Sequence, residues 1–167
     1  LNQRMNIPGE GAEGVWPGID FLRRVNLGEK VYIDGNVAVI GGGNVAFDAA
    51  RTALRLGARE VAIVYRRTRD EMPANDEEIE EAEHEGIKLH YVLAPIQIIS
   101  PNGKVQGLEV QRMEIEGFDA SGRRRPVPVK GSEFILNVSW IIPAIGYLPD
   151  LSPADPSSAR FTPGNSR

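Results

Sequence analysis

The chain has 167 residues, of which 19 are basic and 23 acidic, giving a net charge of -4, with 41% hydrophobic residues, two histidines and no cysteine. That is enough for one well-buried domain, and the acidic balance leaves no basic field to draw in a nucleic acid backbone or an anionic membrane. Without cysteine there is no disulfide, iron–sulfur ligation or CxxC pair in this sequence, and His84 and His90 alone make no metal cage, so redox chemistry here would ride on a bound cofactor.

Residues 1–14 lack the apolar core of a signal peptide, and no run approaches the roughly 20 apolar residues of a membrane span, so a cytoplasmic setting is the expectation. They form an irregular lead-in with Pro8 and several glycines, followed by a short helix at 17–26 that Pro17 starts.

Asp34, Gly35 and Asn36 make a turn, and the apolar run Val37, Ala38, Val39, Ile40 predicts a strand buried on both faces of a parallel sheet. Gly41, Gly43 and Ala46 then fit G-x-G-x-x-G/A, which serves a tight turn out of the strand, a close approach to a pyrophosphate and tight packing of the next helix. Gly42 is the least constrained of the three glycines. Glycines at such a turn also serve geometry alone, but the strand before, the helix after and the strand beyond favour dinucleotide binding.

From Asn44 the positions Ala46, Ala49, Ala50, Ala53 and Leu54 form one helical stripe, with Asp48, Arg51, Thr52 and Arg55 opposite and Gly57 as the stop. Asn44 reads equally as the helix cap or as a ligand contact. Asp48 either complements the helix dipole or projects towards a bound nicotinamide.

Residues 61–65 predict a second buried strand, completing a strand–helix–strand unit with a right-handed crossover. Its far end selects the nucleotide. Glu60 precedes the strand and so lies at the wrong end to accept a ribose 2'-hydroxyl. Arg66 and Arg67, with Arg69 close by, offer guanidinium donors suited to a 2'-phosphate. NADP(H) is therefore favoured over NAD(H) and over FAD, with an NADH-specific version of the domain as the alternative.

Asn75 caps the next helix, Glu78 stands as its capping-box partner, and Gly86 ends it. Residues 77–85 read as a solvated acidic face that includes His84, and His90 as a packed or edge residue of a strand. KLHYVL, then PIQIIS, a turn at PNGK and VQGLEVQRMEIE follow, the last two predicting a hairpin around Asn102-Gly103. Residues 118–131 predict a long polar loop in which Arg123, Arg124 and Arg125 form a solvated tip or a docking point rather than a nucleic-acid patch. Residues 134–146 supply a last strand that returns to the core, and a Pro- and Ser-rich tail begins at residue 149. The order of elements predicts a Rossmann-like α/β domain with a parallel sheet and an antiparallel meander.

Taken together, IPGE, GVWPGIDFLRRVNLGEKV, VIGGGNVAFDAARTALRLGA, VAIVYRRTRDEMPANDEEIEEAEHEGI, DASGRRRPVPV and IPAIG resemble the NADPH-binding domain of the glutamate synthase small subunit. The resemblance extends to related FAD- and iron–sulfur-containing oxidoreductases, including dihydropyrimidine dehydrogenase, and spans residues 7–146. It implies the pyridine nucleotide-disulfide reductase type of fold, three-layered, with a small parallel sheet capped by a three-strand meander, and a domain inserted between two halves of an FAD domain.

Carried over by position, it implies that Gly41, Gly43, Asn44 and Val45, around Gly42, hold the pyrophosphate. Arg66 and Arg67, with Arg69 beside them, would take the 2'-phosphate, and Ala144, Ile145 and Gly146 the nicotinamide end. Asp48 matches an acidic position near the nicotinamide carboxamide. The implied division is 1–36 leading from the FAD-domain side, 37–146 binding NADPH, and 147–167 a tail or truncated return to the FAD domain.

FAD and iron–sulfur clusters would belong to other parts of the parent, because this sequence has no second glycine fingerprint and no cysteine. A chain opening on Leu1 and ending in PSSARFTPGNSR is expected to be a fragment that does not turn over alone. Its implied partners are the FAD domain of the same parent chain and a large glutamate synthase-type or other catalytic subunit. No nucleophile–base set, carboxylate pair or metal cage asks for another mechanism, and the catalytic list is empty. The rival reading from another class is a docking module in which residues 1–36 and the Arg123 loop seat a partner.

Overall fold

In the computed structural model, which describes residues 4–146, the apolar run becomes β1 (Asn36–Ile40). It lies between two parallel neighbours, β2 (Glu60–Val64) and β8 (Trp140–Pro143), and β3 (Lys88–His90) extends the sheet beyond β2. The order is β3-β2-β1-β8. α2 (Asn44–Arg55) and α3 (Asp76–His84) are the crossovers on the β1-to-β3 side, and α1 (Gly18–Asn26) packs beside α2. Because β2 and β8 flank β1 on opposite sides, the winding reverses there, and open α/β sheets seat ligands in the crevice at the carboxyl ends of such strands.

Side chains of the sheet alternate between two cores. Val37, Val39, Val61, Ile63 and Ile142 face the helices and meet Phe21, Phe47 and the fully buried Ala46, Ala49, Ala50 and Ala53. Ala38, Ile40, Val64 and Ile141 face the other way, onto Leu93, Ile98, Leu108 and Val110. Burial on both faces is why these strands read as apolar runs rather than as an alternation. Alanines along α2 let its axis approach the sheet, as the third position of the glycine motif requires.

The second face is covered by an antiparallel unit of β4 (Leu93–Ile99), β5 (Gly107–Phe118), β6 (Arg124–Pro128) and β7 (Phe134–Leu136). The first half of β5 pairs with β4 and β7, the second half with β6. Helices, parallel sheet and antiparallel unit make the three predicted layers. Gly103 turns the β4–β5 hairpin with φ +77°.

Three local expectations are corrected. Residues 118–131 are a hairpin arm rather than a loop, since Arg124–Pro128 is a strand; Pro126 and Pro128, which donate no hydrogen bond, are tolerated because β6 pairs on one side only among the described residues. KLHYVL is broken at Val92, a β-branched residue with φ +47°. Its N–H donates to the Arg67 carbonyl at 3.0 Å and its own carbonyl accepts from Met113 N–H at 2.7 Å, contacts that hold an unfavourable conformation in place. The last strand is two, and β7 joins the meander as a fourth strand while β8 returns to the parallel sheet.

The leading segment is built into this core. Trp16 N–H donates to the Ile141 carbonyl at 2.9 Å, and its ring packs edge-on to Phe21 with centroids 5.2 Å apart. The predicted tail, residues 147–167, lies outside the described residues.

Candidate functional site

The three glycines do three different things. Gly41 leaves β1 with φ +140°, and its N–H donates to the Val64 carbonyl at 3.1 Å. A Cβ there would collide with the Ala144 carbonyl oxygen, so the position accepts only glycine. At Gly42 a Cβ would come within 2.7 Å and 2.8 Å of the Tyr65 ring. Gly43 is the reverse: φ -93° and ψ -178° suit any residue, and a Cβ would meet nothing within 4 Å.

This corrects the ranking expected from the sequence, in which Gly42 was the least constrained. Among the described residues none places a demand on Gly43, whose missing side chain leaves open space beside the start of α2. Gly43 is the N-cap of that helix, and no side chain caps it. The first N–H groups of a helix have no partner within it and carry the positive end of its dipole, which suits an anion.

Gly43 also lines a cavity of about 430 Å³ at the carboxyl end of the parallel sheet. Gly41 and Gly42 share this wall. Tyr65, Arg66 and Arg67 follow β2 into it, and Ala144, Ile145 and Gly146 follow β8. Leu93, Ala94 and Pro95 of β4 form the meander side, and Met5, Pro73 and Arg123 complete the rim. Burial raises the Tyr65 phenol above its ordinary value against the pull of Arg67 and Arg123, and the hydroxyl donates to the Glu71 carbonyl at 2.9 Å.

The basic residues divide sharply. Arg66 is exposed, and neither its side chain nor that of Arg123 has a hydrogen bond or ion pair among the described residues. Desolvation, then the charges of Arg67 and Arg123, hold the Arg66 guanidinium below its ordinary value. Arg67 is only 6% exposed. Its Nε donates to the Arg124 carbonyl at 3.2 Å, its Nη2 donates to Asp119 Oδ2 at 3.3 Å, and Glu71 Oε2 lies 3.8 Å from Nε. Arg69 pairs with Glu80 at 3.8 Å and is not on the cavity wall.

Of the residues expected from the sequence, Gly41, Gly42, Gly43, Arg66, Arg67, Ala144, Ile145 and Gly146 come together at this cavity. Asn44 is exposed and is the first residue of α2, the cap position being taken by Gly43. Val45 packs near Gly18 at the start of α1. Asp48 lines a separate depression of about 190 Å³ with Leu22, Asn26 and Arg51. His84 is exposed and His90 half-buried, and no group of candidate metal ligands is present among the described residues. Nor is any helix among them long and apolar enough to cross a membrane. Sequence reasoning missed Arg123 as a cavity residue; the signal was a basic triplet beside a Ser-Gly turn, which becomes informative once that turn is recognised as a hairpin tip.

Comparison with known proteins finds relatives in sequence and in fold. The chain is 48% identical over 154 residues to the NADP(+)-dependent formate dehydrogenase subunit beta of Moorella thermoacetica, covering 90% of this chain and 22% of that protein. It is 36% identical over 160 residues to the glutamate synthase [NADPH] small chain of Escherichia coli, covering 89% and 34% respectively. It thus spans about a fifth to a third of these relatives. Among solved structures, Mycobacterium tuberculosis FprA in complex with NADPH superposes with a TM-score of 0.75 at 20% identity, over 92% of this chain and 49% of that one, a likeness of fold. The profile described as Pyridine nucleotide-disulphide oxidoreductase matches residues 2–159, and the chain belongs to that family.

Proposed function

We propose that this chain binds NADPH and presents its nicotinamide to a flavin carried by other parts of a larger oxidoreductase. The observation that carries the reading is Gly43: among the described residues, an uncapped helix N-terminus with open space before it, on the wall of a cavity that also holds an Arg66 with no side-chain partner. A dinucleotide fits this set of donors. Gly41, Gly42, Gly43 and the first N–H groups of α2, at Asn44 and Val45, would hold the pyrophosphate. Arg66 would meet the 2'-phosphate, with Arg67 behind it, and Ala144, Ile145 and Gly146 would border the nicotinamide end. Asp48 and Arg69, which lie off the cavity, have no part in this proposal.

The nicotinamide, when bound, supplies a hydride. This chain's residues bind and orient, and the apolar wall of Ile40, Val64, Leu93 and Ile145 limits water. Relatives named for NADP(+) and NADPH support the choice of nucleotide. This chain spans only 22% and 34% of them, which leaves room in a longer parent for the FAD and iron–sulfur centres of this reading, with an FAD-bearing domain and a separate catalytic subunit as partners. Leu27 and Tyr32, 71% and 85% exposed in the leading segment, fit a surface that another domain covers.

The test is a calorimetric titration of this chain with NADPH and with NADH. NADPH binding in preference to NADH is expected. Absence of binding for either nucleotide at millimolar concentration would overturn the reading and favour a docking module.

A further inference from the structure

We propose that the second cationic arm for the 2'-phosphate is Arg123, at the tip of the β5–β6 hairpin, and that Arg67 is a positioning residue that latches this tip over the cavity. The inference rests on the NADPH reading and adds to it a specificity residue from a different layer of the fold.

Arg66 and Arg123 reach one cavity from opposite layers, Arg66 from the end of β2 and Arg123 from the meander. Both side chains are exposed and without a direct partner among the described residues. They are near enough for the charge of Arg123 to act on both Arg66 and Tyr65. Two unpaired guanidinium groups converging on one opening repel each other until an anion lies between them. A phosphomonoester, with close to two negative charges and three acceptor oxygens at neutral pH, matches that demand. A ribose hydroxyl, as in NADH, gives neither cation anything comparable.

Arg67 is already committed. Its charge faces Asp119 and Glu71, and its Nε–H is spent on the Arg124 carbonyl. Asp119 links that commitment to Arg123, because its two oxygens do separate jobs. Oδ2 accepts from Arg67, while Oδ1 accepts from the backbone N–H of Ser121 at 2.9 Å and of Arg123 at 3.0 Å. The main chain of Arg123 is therefore tied, through one carboxylate, to the residue that follows Arg66. Arg124 turns to Glu71 instead, with Nη1 3.8 Å from Oε1, and Arg125 lies off the cavity wall.

The experiment measures dissociation constants of this chain for NADPH, NADH and adenosine 2',5'-bisphosphate. Arg123→Ala should weaken NADPH and the bisphosphate by roughly tenfold to a hundredfold, the loss of a charge-assisted bond, and leave NADH within about twofold; Arg125→Ala should change none of the three. Asp119→Ala separates latch from charge. Removing an anion beside a phosphate site should tighten NADPH if charge alone acts, whereas releasing the tip should weaken it by roughly tenfold. An unchanged NADPH-to-NADH ratio in Arg123→Ala overturns the arm, and tighter NADPH binding by Asp119→Ala overturns the latch. Both outcomes presuppose that the unsubstituted chain prefers NADPH; if it binds neither nucleotide, the function proposed above fails instead.

Discussion

The carbonyl oxygen of Ala144 occupies the space that a side chain at Gly41 would need, and the Ala144 N–H donates to the Ile40 carbonyl at 2.7 Å. The turn after β1 is thus closed by the residue after β8, and two strands 100 residues apart are joined where the ligand is proposed to sit.

That closure separates folding from binding at positions two residues apart. Gly41→Ala must push the Ala144 backbone away from β1 and take up φ +140°, and is expected to cost at least about 1–3 kcal/mol. Gly43→Ala meets no protein atom and has an ordinary backbone, so stability should stay within about 0.5 kcal/mol. Its methyl group should instead block the approach to α2 and weaken NADPH at least roughly tenfold. Thermal melts read the first effect and titration the second; wild-type NADPH affinity in Gly43→Ala would rule out the glycine cradle.

The path from Val37 to Arg55 is legible in sequence because its signals are local: an apolar run, a glycine motif and an alanine stripe at helical spacing. β6 is not, because Pro126 and Pro128 argue against a strand until one knows that it pairs on one side only. The division of labour among Arg66, Arg67 and Arg123 is also hidden, since Arg67 meets partners 52 and 57 residues away. Pattern identifies three cations of one type, and only the tertiary pairing tells which of them is spent. Gly42 and Gly43 exchange ranks for the same reason: the Tyr65 ring that closes on Gly42 arrives from the next strand.

Phe21 tests whether the leading segment is an integral part of the folded unit. The side chain is fully buried, packs on Trp16, and shares a core with Phe47 and Ile142. Phe21→Ala is expected to cost about 3–5 kcal/mol, with urea unfolding remaining a single transition. A cost below about 1 kcal/mol would mean that the segment before β1 is only laid against the domain.

Asn75 Oδ1 accepts from the Glu78 N–H at 2.8 Å, capping α3 as the sequence predicts. Asn75→Ala should lose about 1 kcal/mol and Asn75→Asp almost nothing. Chemical denaturation of the two variants side by side checks this, and equal losses would show that the amide serves something other than the cap.

His90 and Glu85 should each make acid destabilise the fold. Burial, then the charges of Lys88 and Arg112, hold the His90 imidazole below its ordinary value, so the unfolded chain takes up that proton first. Stability is therefore lost as pH falls below the unfolded value of about 6.5 and levels off beneath the folded one. Glu85 titrates later. Its hydrogen bond from Arg51 keeps the carboxyl below the usual range, helped by the charges of Arg51 and Arg55. The stability it contributes is complete above the unfolded value of about 4.3 and is lost as pH falls through the folded one. Glu85 is exposed and its pair screened by solvent, so its step should not exceed about 1 kcal/mol and should shrink in roughly 1 M salt. Urea midpoints measured across pH should lose the upper step in His90→Gln, and the lower loss, to which Asp119 also contributes, should shrink in Glu85→Gln. A lower loss undiminished in Glu85→Gln would assign it to other carboxylates and leave the contact between α2 and α3 without a role in acid stability.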